Sequence, residues 1–408
     1  MRLPAPPTRN PAGPIRSRPP AKAYLAPVPG LKRLTNRSQS VFLMPLRGGR
    51  ARTRFGGTAI HVVIITGGSS GIGRCTAALF ARHGWRVGLI ARGAEGLAAS
   101  RLDVEAAGAC AASAQADVTR SADLAGAAKV IVAALGPVDV WINCAGNGVY
   151  GRFDDVPEAE FQRVTDVTYH GTVNGTRVAL SHMRPRGAGC IINVCSAVAF
   201  HGLPLMSSYA GAKAAVRAFG QALQGELRLE RSAIRVATVF PPAVNTPYFS
   251  HATSHMGWPA RPAWPVYQPE LIAQGIWQAV ARGRAEITIG GTAAAYSLAT
   301  RIAPRLIAWC MGRVGIERQS TRDRDALELQ EPNLFAPSQH VFGVRGPFGQ
   351  GAREWSLHVS AGRVLAMARQ FLRTARRRAR PAVPLPPTRA QPAPDRPLGD
   401  LASQSGDS

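Results

Sequence analysis

Between residues 59 and 84 the chain reads AIHVVIITGGSSGIGRCTAALFARHG. No other stretch limits the fold as much. AIHVVIIT is a short apolar run rich in β-branched residues, the pattern of a strand buried on both faces of a parallel sheet. It runs straight into the glycine-rich turn TGGSSGIG, and RCTAALFARHG then has the composition of a helix ending near Gly84. Strand, glycine turn and helix in that order bring backbone close to a phosphate-bearing ligand, with helix N–H groups facing it. Gly67, Gly71 and Gly73 are the candidate close-approach positions, with Ser69, Ser70 and Ile72 between them.

The same alternation continues downstream. WRVGLIAR is a second strand, followed by a helix over about 94–107. ACAASAQADVT is a third, followed by a helix over 121–135. VDVWIN is a fourth, ending in the turn Asn143-Cys144-Ala145-Gly146. A long helix is expected from about Pro157 to Met183. GCIINVCS is a fifth strand that delivers Ser196, AIRVATVF a sixth that leads into PPAVNTPYF, and AEITIG a last one. Strands alternating with helices predict an α/β fold, a doubly wound parallel sheet with helices on both faces. Ligands of such sheets bind at the carboxyl ends of the strands. That is where Asp117, Val118, Asn143 and Ser196 fall.

The stretch 196–213, SAVAFHGLPLMSSYAGAK, holds the candidate chemistry. Tyr209 and Lys213 are four apart in a run of helix formers, so they share one helical face. A free phenol has a pKa near ~10, and a cation one turn away favours its phenolate. Ser196 can hydrogen-bond a substrate oxygen. Only four of the chain's 49 basic residues are lysines, so a Lys beside Tyr209 suggests that a compact ammonium is needed there.

That Arg bias also bears on the net charge of +25. It reads as a coding bias, and makes the charge a poor pointer to nucleic acid. The six cysteines form no C-x-x-C, and with the histidines no zinc-ligand spacing, so a reducing, cytoplasmic setting and no metal are expected. No apolar leader resembles a signal peptide, and no uncharged apolar run of about 18 residues predicts a membrane span.

The chain divides into four parts. Residues 1–57 carry twelve Arg or Lys and no Asp or Glu, and are expected to be disordered. An early start site, a targeting arm and a nucleic-acid arm are the readings, the first preferred. Residues 58–322 form the α/β domain. Within it, 247–268 looks like a loop over a pocket, its aromatics facing a ligand or fastening the loop. Residues 292–315 are helical, broken at Pro304, with an apolar face for a dimer, a membrane surface or the protein's own core. Residues 323–380 form an extension whose basic amphipathic helix suits either an anionic membrane surface or solvent. Residues 381–408 are a Pro-rich tail.

Taken together, residues 59 to about 290 resemble the short-chain dehydrogenase/reductases. The pieces that carry the likeness are TGGSSGIG, Asp117-Val118, NCAG, Ser196, YAGAK and PPAVNT. The resemblance implies a Rossmann fold, NAD(P) and reversible hydride transfer between the nicotinamide and a ketone or secondary alcohol. It makes Tyr209 the acid–base. Lys213 holds the nicotinamide ribose, and Ser196 orients the substrate oxygen. Thr66, Gly67, Gly71, Ile72 and Gly73 line the pyrophosphate. Asn143, Ala145 and Gly146 border the ribose and nicotinamide. Pro241, Val244 and Thr246 follow the sixth strand, the last two touching the carboxamide and phosphates. Thr168, in DVTYHGT, stands where the family usually has an Asn that orders a water in the proton relay. It keeps a backbone carbonyl and adds a hydroxyl. Family members are often dimers or tetramers, so the likeness implies a homo-oligomer, with the C-terminal extension as an obstacle to assembly. The competing reading is a non-catalytic NADP-binding sensor or nucleic-acid-associated protein on the same fold.

The second strand ends at Ala91-Arg92, without the carboxylate that would bind the ribose of NAD. Arg92 is therefore expected to pair with a 2′-phosphate, helped by Arg74, with a surface role for Arg92 as the alternative. One such charge-assisted contact corresponds to a preference of roughly tenfold to a hundredfold for NADP over NAD.

Overall fold

The structure, a computed structural model, describes residues 60–315, 319–321 and 330–356. The arm 1–57, the basic helix signature downstream of Ser356 and the tail 381–408 lie outside them.

The elements follow the expected alternation. β1 (Val62–Thr66), α1 (Gly71–Arg82), β2 (Arg86–Ala91), α2 (Ala94–Ala106), β3 (Ala111–Gln115), α3 (Ser121–Leu135) and β4 (Val140–Asn143) make the first half. β5 (Val149–Tyr150), α4 (Glu158–Thr165), α5 (Gly171–Met183), β6 (Ala188–Val194), α6 (Ser207–Leu229) and β7 (Ala233–Phe240) follow. Then come α7 (Tyr248–His251), β8 (Thr253–Ser254), α8 (Pro269–Arg282), β9 (Glu286–Thr288), α9 (Gly291–Ile302) and α10 (Pro304–Val314). Seven strands form one parallel sheet in the order β3-β2-β1-β4-β6-β7-β9, and β5 pairs with β8 beside it.

Period-two alternation within fully buried strands builds two cores. Val63 and Ile65 of β1 face Phe80 of α1, Leu97 of α2 and Ile272 of α8. Val62 and Ile64 face Leu124 and Ile131 of α3, Val178 of α5 and Leu223 of α6. All five side chains of β1 are buried. Burying a Val or Ile is worth about 1.5–3 kcal/mol, so this strand is a main anchor of the sheet. Strand order reverses between β1 and β4, which opens a crevice at their carboxyl ends.

One departure from the sequence-based expectations and two divided outcomes bear on the crevice. The long helix expected over 157–183 is two helices joined by a π-helical turn at Asp166–His170, which carries Thr168. Such wide turns are frequent at functional sites. The aromatics of 247–268 divide: Tyr267 is buried, whereas Trp264 lines a cavity while remaining 65% exposed. The helices after β9 divide too, since Tyr296 and Met311 line that cavity whereas Leu298, Ile302, Leu306 and Trp309 are exposed. In addition, the chain does not leave the domain near residue 322. Residues 330–356 lie back against it, with Leu334 buried among Val149 and Val164.

Among the described residues, no helix is long and apolar enough to cross a membrane.

Candidate active site

The glycine turn is built for close approach. Gly67 has φ 68°, and a Cβ there would lie 2.7 Å from the Cα of Ala145; a Cβ on Gly73 would lie 2.1 Å from the Gly67 carbonyl oxygen. Only glycine lets β1, α1 and the turn after β4 meet this tightly. The amides of Ile72 and Gly73, in the first turn of α1, have no intrahelical acceptor and sit at the positive end of the helix dipole.

β6 ends at Val194, and Ser196 follows as the N-cap of a short 3-10 turn, its hydroxyl accepting from the Val198 amide at 3.4 Å. Tyr209 is in the first turn of α6, and Lys213 follows one turn later. The Lys213 amine is buried and donates to the Val194 carbonyl at 2.7 Å, which ties α6 to the end of β6. Burial pushes the Tyr209 phenol well above the ordinary tyrosine value, the neighbouring Cys195 adds to this, and the Ser196 hydroxyl pulls it back. Burial lowers the Lys213 ammonium. The depression of Tyr209 expected from Lys213 therefore does not govern the phenol in the chain by itself: desolvating an anion outweighs a cation 5.6 Å from the ring centre. Tyr248 packs against Tyr209 with ring centroids 5.6 Å apart, and the buried Tyr150 lines the same cavity.

One cavity of about 470 Å³ joins these parts. Gly67, Ser69, Ser70, Gly71, Ile72 and Gly73 line one end; Ser196, Tyr209 and Lys213 line the other. Asp117, Val118, Ala145, Gly146, Pro241, Val244 and Thr246 also line it.

Three expectations, for Thr66, Asn143 and Arg92, are corrected, and Thr168 is located. Thr66 is not on the cavity wall: its hydroxyl accepts from the Cys144 amide at 3.2 Å and staples β1 to the turn after β4. Asn143 also faces inward, with its oxygen accepting from Trp141 Nε1 at 2.8 Å and its nitrogen donating to Thr176 and Asn193. Thr168 is buried behind Gly146, where a Cβ would lie 3.9 Å from its hydroxyl and 3.8 Å from the Lys213 amine; its carbonyl accepts from the Thr172 hydroxyl, and its own hydroxyl has no partner among the described residues. Arg92 lines the cavity, but its guanidinium donates to the carbonyls of Asn333, Leu334, Phe335 and Ala336. Arg74 pairs with Asp103 and with the Phe342 carbonyl. Both guanidinium groups expected at a 2′-phosphate are thus engaged by the chain itself.

Sequence reasoning missed the residues that engage them. Asn333, Pro337, Ser338, Val341 and Phe342 line the same cavity. This segment has neither helical nor strand periodicity, which is why it reads as a featureless extension. Its one local signal is the run FGVRGPFG at 342–349, whose glycines permit close contact: a Cβ on Gly346 would lie 2.4 Å from the Thr246 carbonyl oxygen.

The glycine cradle, the helix amides and a continuous groove from Arg92 to Lys213 fit an extended dinucleotide. The short chain dehydrogenase family model matches residues 61–257. The uncharacterised oxidoreductase YxnA of Bacillus subtilis is 32% identical over 277 residues, covering 67% of this chain and 78% of that protein. The chain belongs to the short-chain dehydrogenase/reductase family. A second relative in the family, 3-ketodihydrosphingosine reductase of Bos taurus, is 30% identical over 241 residues, 56% of this chain and 70% of that protein. A solved actinorhodin polyketide ketoreductase with NADPH superposes with a TM-score of 0.51 at 27% identity, covering 56% of this chain and 95% of that one. This member is accordingly an oxidoreductase acting on the CH–OH/C=O pair, on a Rossmann fold that takes a nicotinamide dinucleotide.

Proposed function

We propose that the enzyme interconverts a ketone and a secondary alcohol with NADP(H), with Tyr209 as the acid–base. The observation that carries this reading is that one cavity contains both the glycine turn and the set Ser196, Tyr209 and Lys213. When bound, the reduced nicotinamide supplies the hydride to the carbonyl carbon. Tyr209 gives its proton to the carbonyl oxygen in reduction and takes it back in oxidation. Ser196 holds that oxygen beside the phenol. Lys213, fixed by the Val194 carbonyl, directs its remaining N–H groups to the nicotinamide ribose and offsets charge that develops on Tyr209. Leu203, Met206, Phe249 and Trp264 line the tyrosine end, so the substrate side suits a bulky apolar ketone. The bovine relative's name, 3-ketodihydrosphingosine reductase, accords with a keto substrate.

The preference for NADP(H) rests on charge. β2 ends at Ala91 without a carboxylate, and at that end of the cavity Arg92 lines the wall together with Asp117, whose charge is paired with Arg163. With Arg92 committed elsewhere, the preference is smaller than one direct guanidinium–phosphate contact would supply. A panel of apolar ketones and alcohols, followed by NADPH and NADH absorbance with the full chain, tests the reading. Turnover with several bulky ketones is expected. Binding of the nucleotide with no turnover across the panel would overturn it.

A further inference from the structure

The dinucleotide groove has a wall that none of the family motifs in this sequence supplies. Resting on the dinucleotide reading above, we propose that residues 331–343 complete the nucleotide site, where Asn333 accepts a hydrogen bond from the adenine amino group and Arg92 latches the segment in place.

The segment is pinned at both ends of the nucleotide half of the groove. At the end of β2, Arg92 reaches four successive carbonyls, Asn333 to Ala336. At the start of α1, the Gly71 amide donates to the Gly343 carbonyl at 3.0 Å, and Arg74 donates to the Phe342 carbonyl at 2.9 Å. At its root, the Glu331 and Asn333 amides donate to the Ser250 and His251 carbonyls. Between the pins, the Glu331 carboxylate accepts from the amides of Gln339, His340 and Val341 and from the Ser338 hydroxyl. A loop held by its own carboxylate and by two cations of the nucleotide motif is a built wall rather than a passing contact.

One side-chain polar atom of the wall is buried without a partner. Asn333 lines the cavity, and its carboxamide oxygen is buried without a hydrogen-bond partner among the described residues. A buried acceptor left unpaired costs free energy that a ligand donor recovers. The other acceptor at this end, Asp117, already takes Arg163 on one oxygen and the Thr119 amide and hydroxyl on the other. Adenine carries an exocyclic amine on its edge, which is the donor that Asn333 lacks.

The test compares NADPH with its hypoxanthine analogue, in which an oxo group replaces the adenine amine, by fluorescence titration of the full chain. The wild type should bind NADPH about tenfold tighter than the analogue, since losing one paired hydrogen bond to a buried group corresponds to about that ratio. Asn333→Leu should bring the two constants together, while Asn333→Asp, which keeps an acceptor, should retain the preference. A preference that survives Asn333→Leu would overturn the assignment. The latch is tested separately with Gly93→Cys and Pro337→Cys combined. A Cβ on Gly93 would lie 3.2 Å from the Pro337 Cβ, near disulfide reach. Oxidation should slow NADPH release by about tenfold or more, as expected when an interface tightens through its off-rate, and reductant should restore it. Release rates that are equal in the two redox states would overturn the wall but not the dinucleotide reading. Failure of the wild type to bind any nicotinamide dinucleotide would overturn both.

Discussion

The Lys213 amine lies 5.6 Å from the centre of the Tyr209 ring while it donates to the Val194 carbonyl at 2.7 Å. One turn of α6 thus sets phenol and amine side by side, and a strand end fixes the amine. The pair is held by the sheet rather than by mutual attraction, so each residue can be changed with the other left in place.

Replacing Tyr209 by Phe removes the proton donor and leaves the packing against Tyr248. We expect kcat to fall by about 10²–10⁴-fold, the usual contribution of general acid–base catalysis, with the NADPH dissociation constant unchanged. Steady-state kinetics and fluorescence titration on the same sample check both. A kcat within a few-fold of wild type would remove Tyr209 from the mechanism.

The raised Tyr209 phenol has a signed consequence for pH. Reduction needs the protonated phenol, so its rate should stay flat from neutral into alkaline pH. Oxidation needs the phenolate and should climb about tenfold per pH unit over the same range. Tyr150 and Tyr248 are also raised by burial. Their folded values lie above the unfolded value near ~10, so their contribution to stability is complete below that value and is lost as pH rises past it. Alkaline denaturation followed by circular dichroism should therefore begin near that value.

Thr168 carries a buried hydroxyl without a partner among the described residues, and both it and the Lys213 amine lie behind Gly146. Thr168→Val removes it with little change of volume, so the melting temperature should hold or rise. We expect kcat to fall about tenfold with KM for NADPH unchanged, the signature of a lost proton-relay contact, at the low end of acid–base effects. Equal kcat in the variant would make Thr168 a packing residue.

Asn143 joins Trp141, Thr176 and Asn193 inside the protein. Asn143→Leu strands those partners, and leaving such a group unpaired costs about 1–3 kcal/mol. Urea unfolding should show a loss of at least that size, with nucleotide affinity reduced only in proportion to the unfolded fraction.

Arg92→Ala releases four carbonyls of the 333–336 segment. NADH and NADPH affinities should therefore weaken together. A loss confined to NADPH would return Arg92 to the 2′-phosphate role that its position at the end of β2 suggests.

Much of this protein is legible in one dimension because its signals are local. A buried strand announces itself as VVIIT. Backbone crowding at a turn demands glycine at Gly67 and Gly73, and one helical turn places Lys213 beside Tyr209 whatever surrounds them. Those patterns were enough for the sheet, the crevice and the two ends of the site. Side-chain direction is a different matter. Thr66 and Asn143 belong to the right motifs yet turn into the core, because buried amides and hydroxyls need partners and the nearest ones lie behind the wall. The rise of the Tyr209 phenol likewise depends on burial, which no spacing encodes. Above all, Arg92 meets residues 333–336 across more than two hundred positions of sequence. Contacts to backbone carbonyls carry no side-chain signature on the accepting side, so only the tertiary structure could show that the cation expected at a phosphate instead fastens the chain over its own groove.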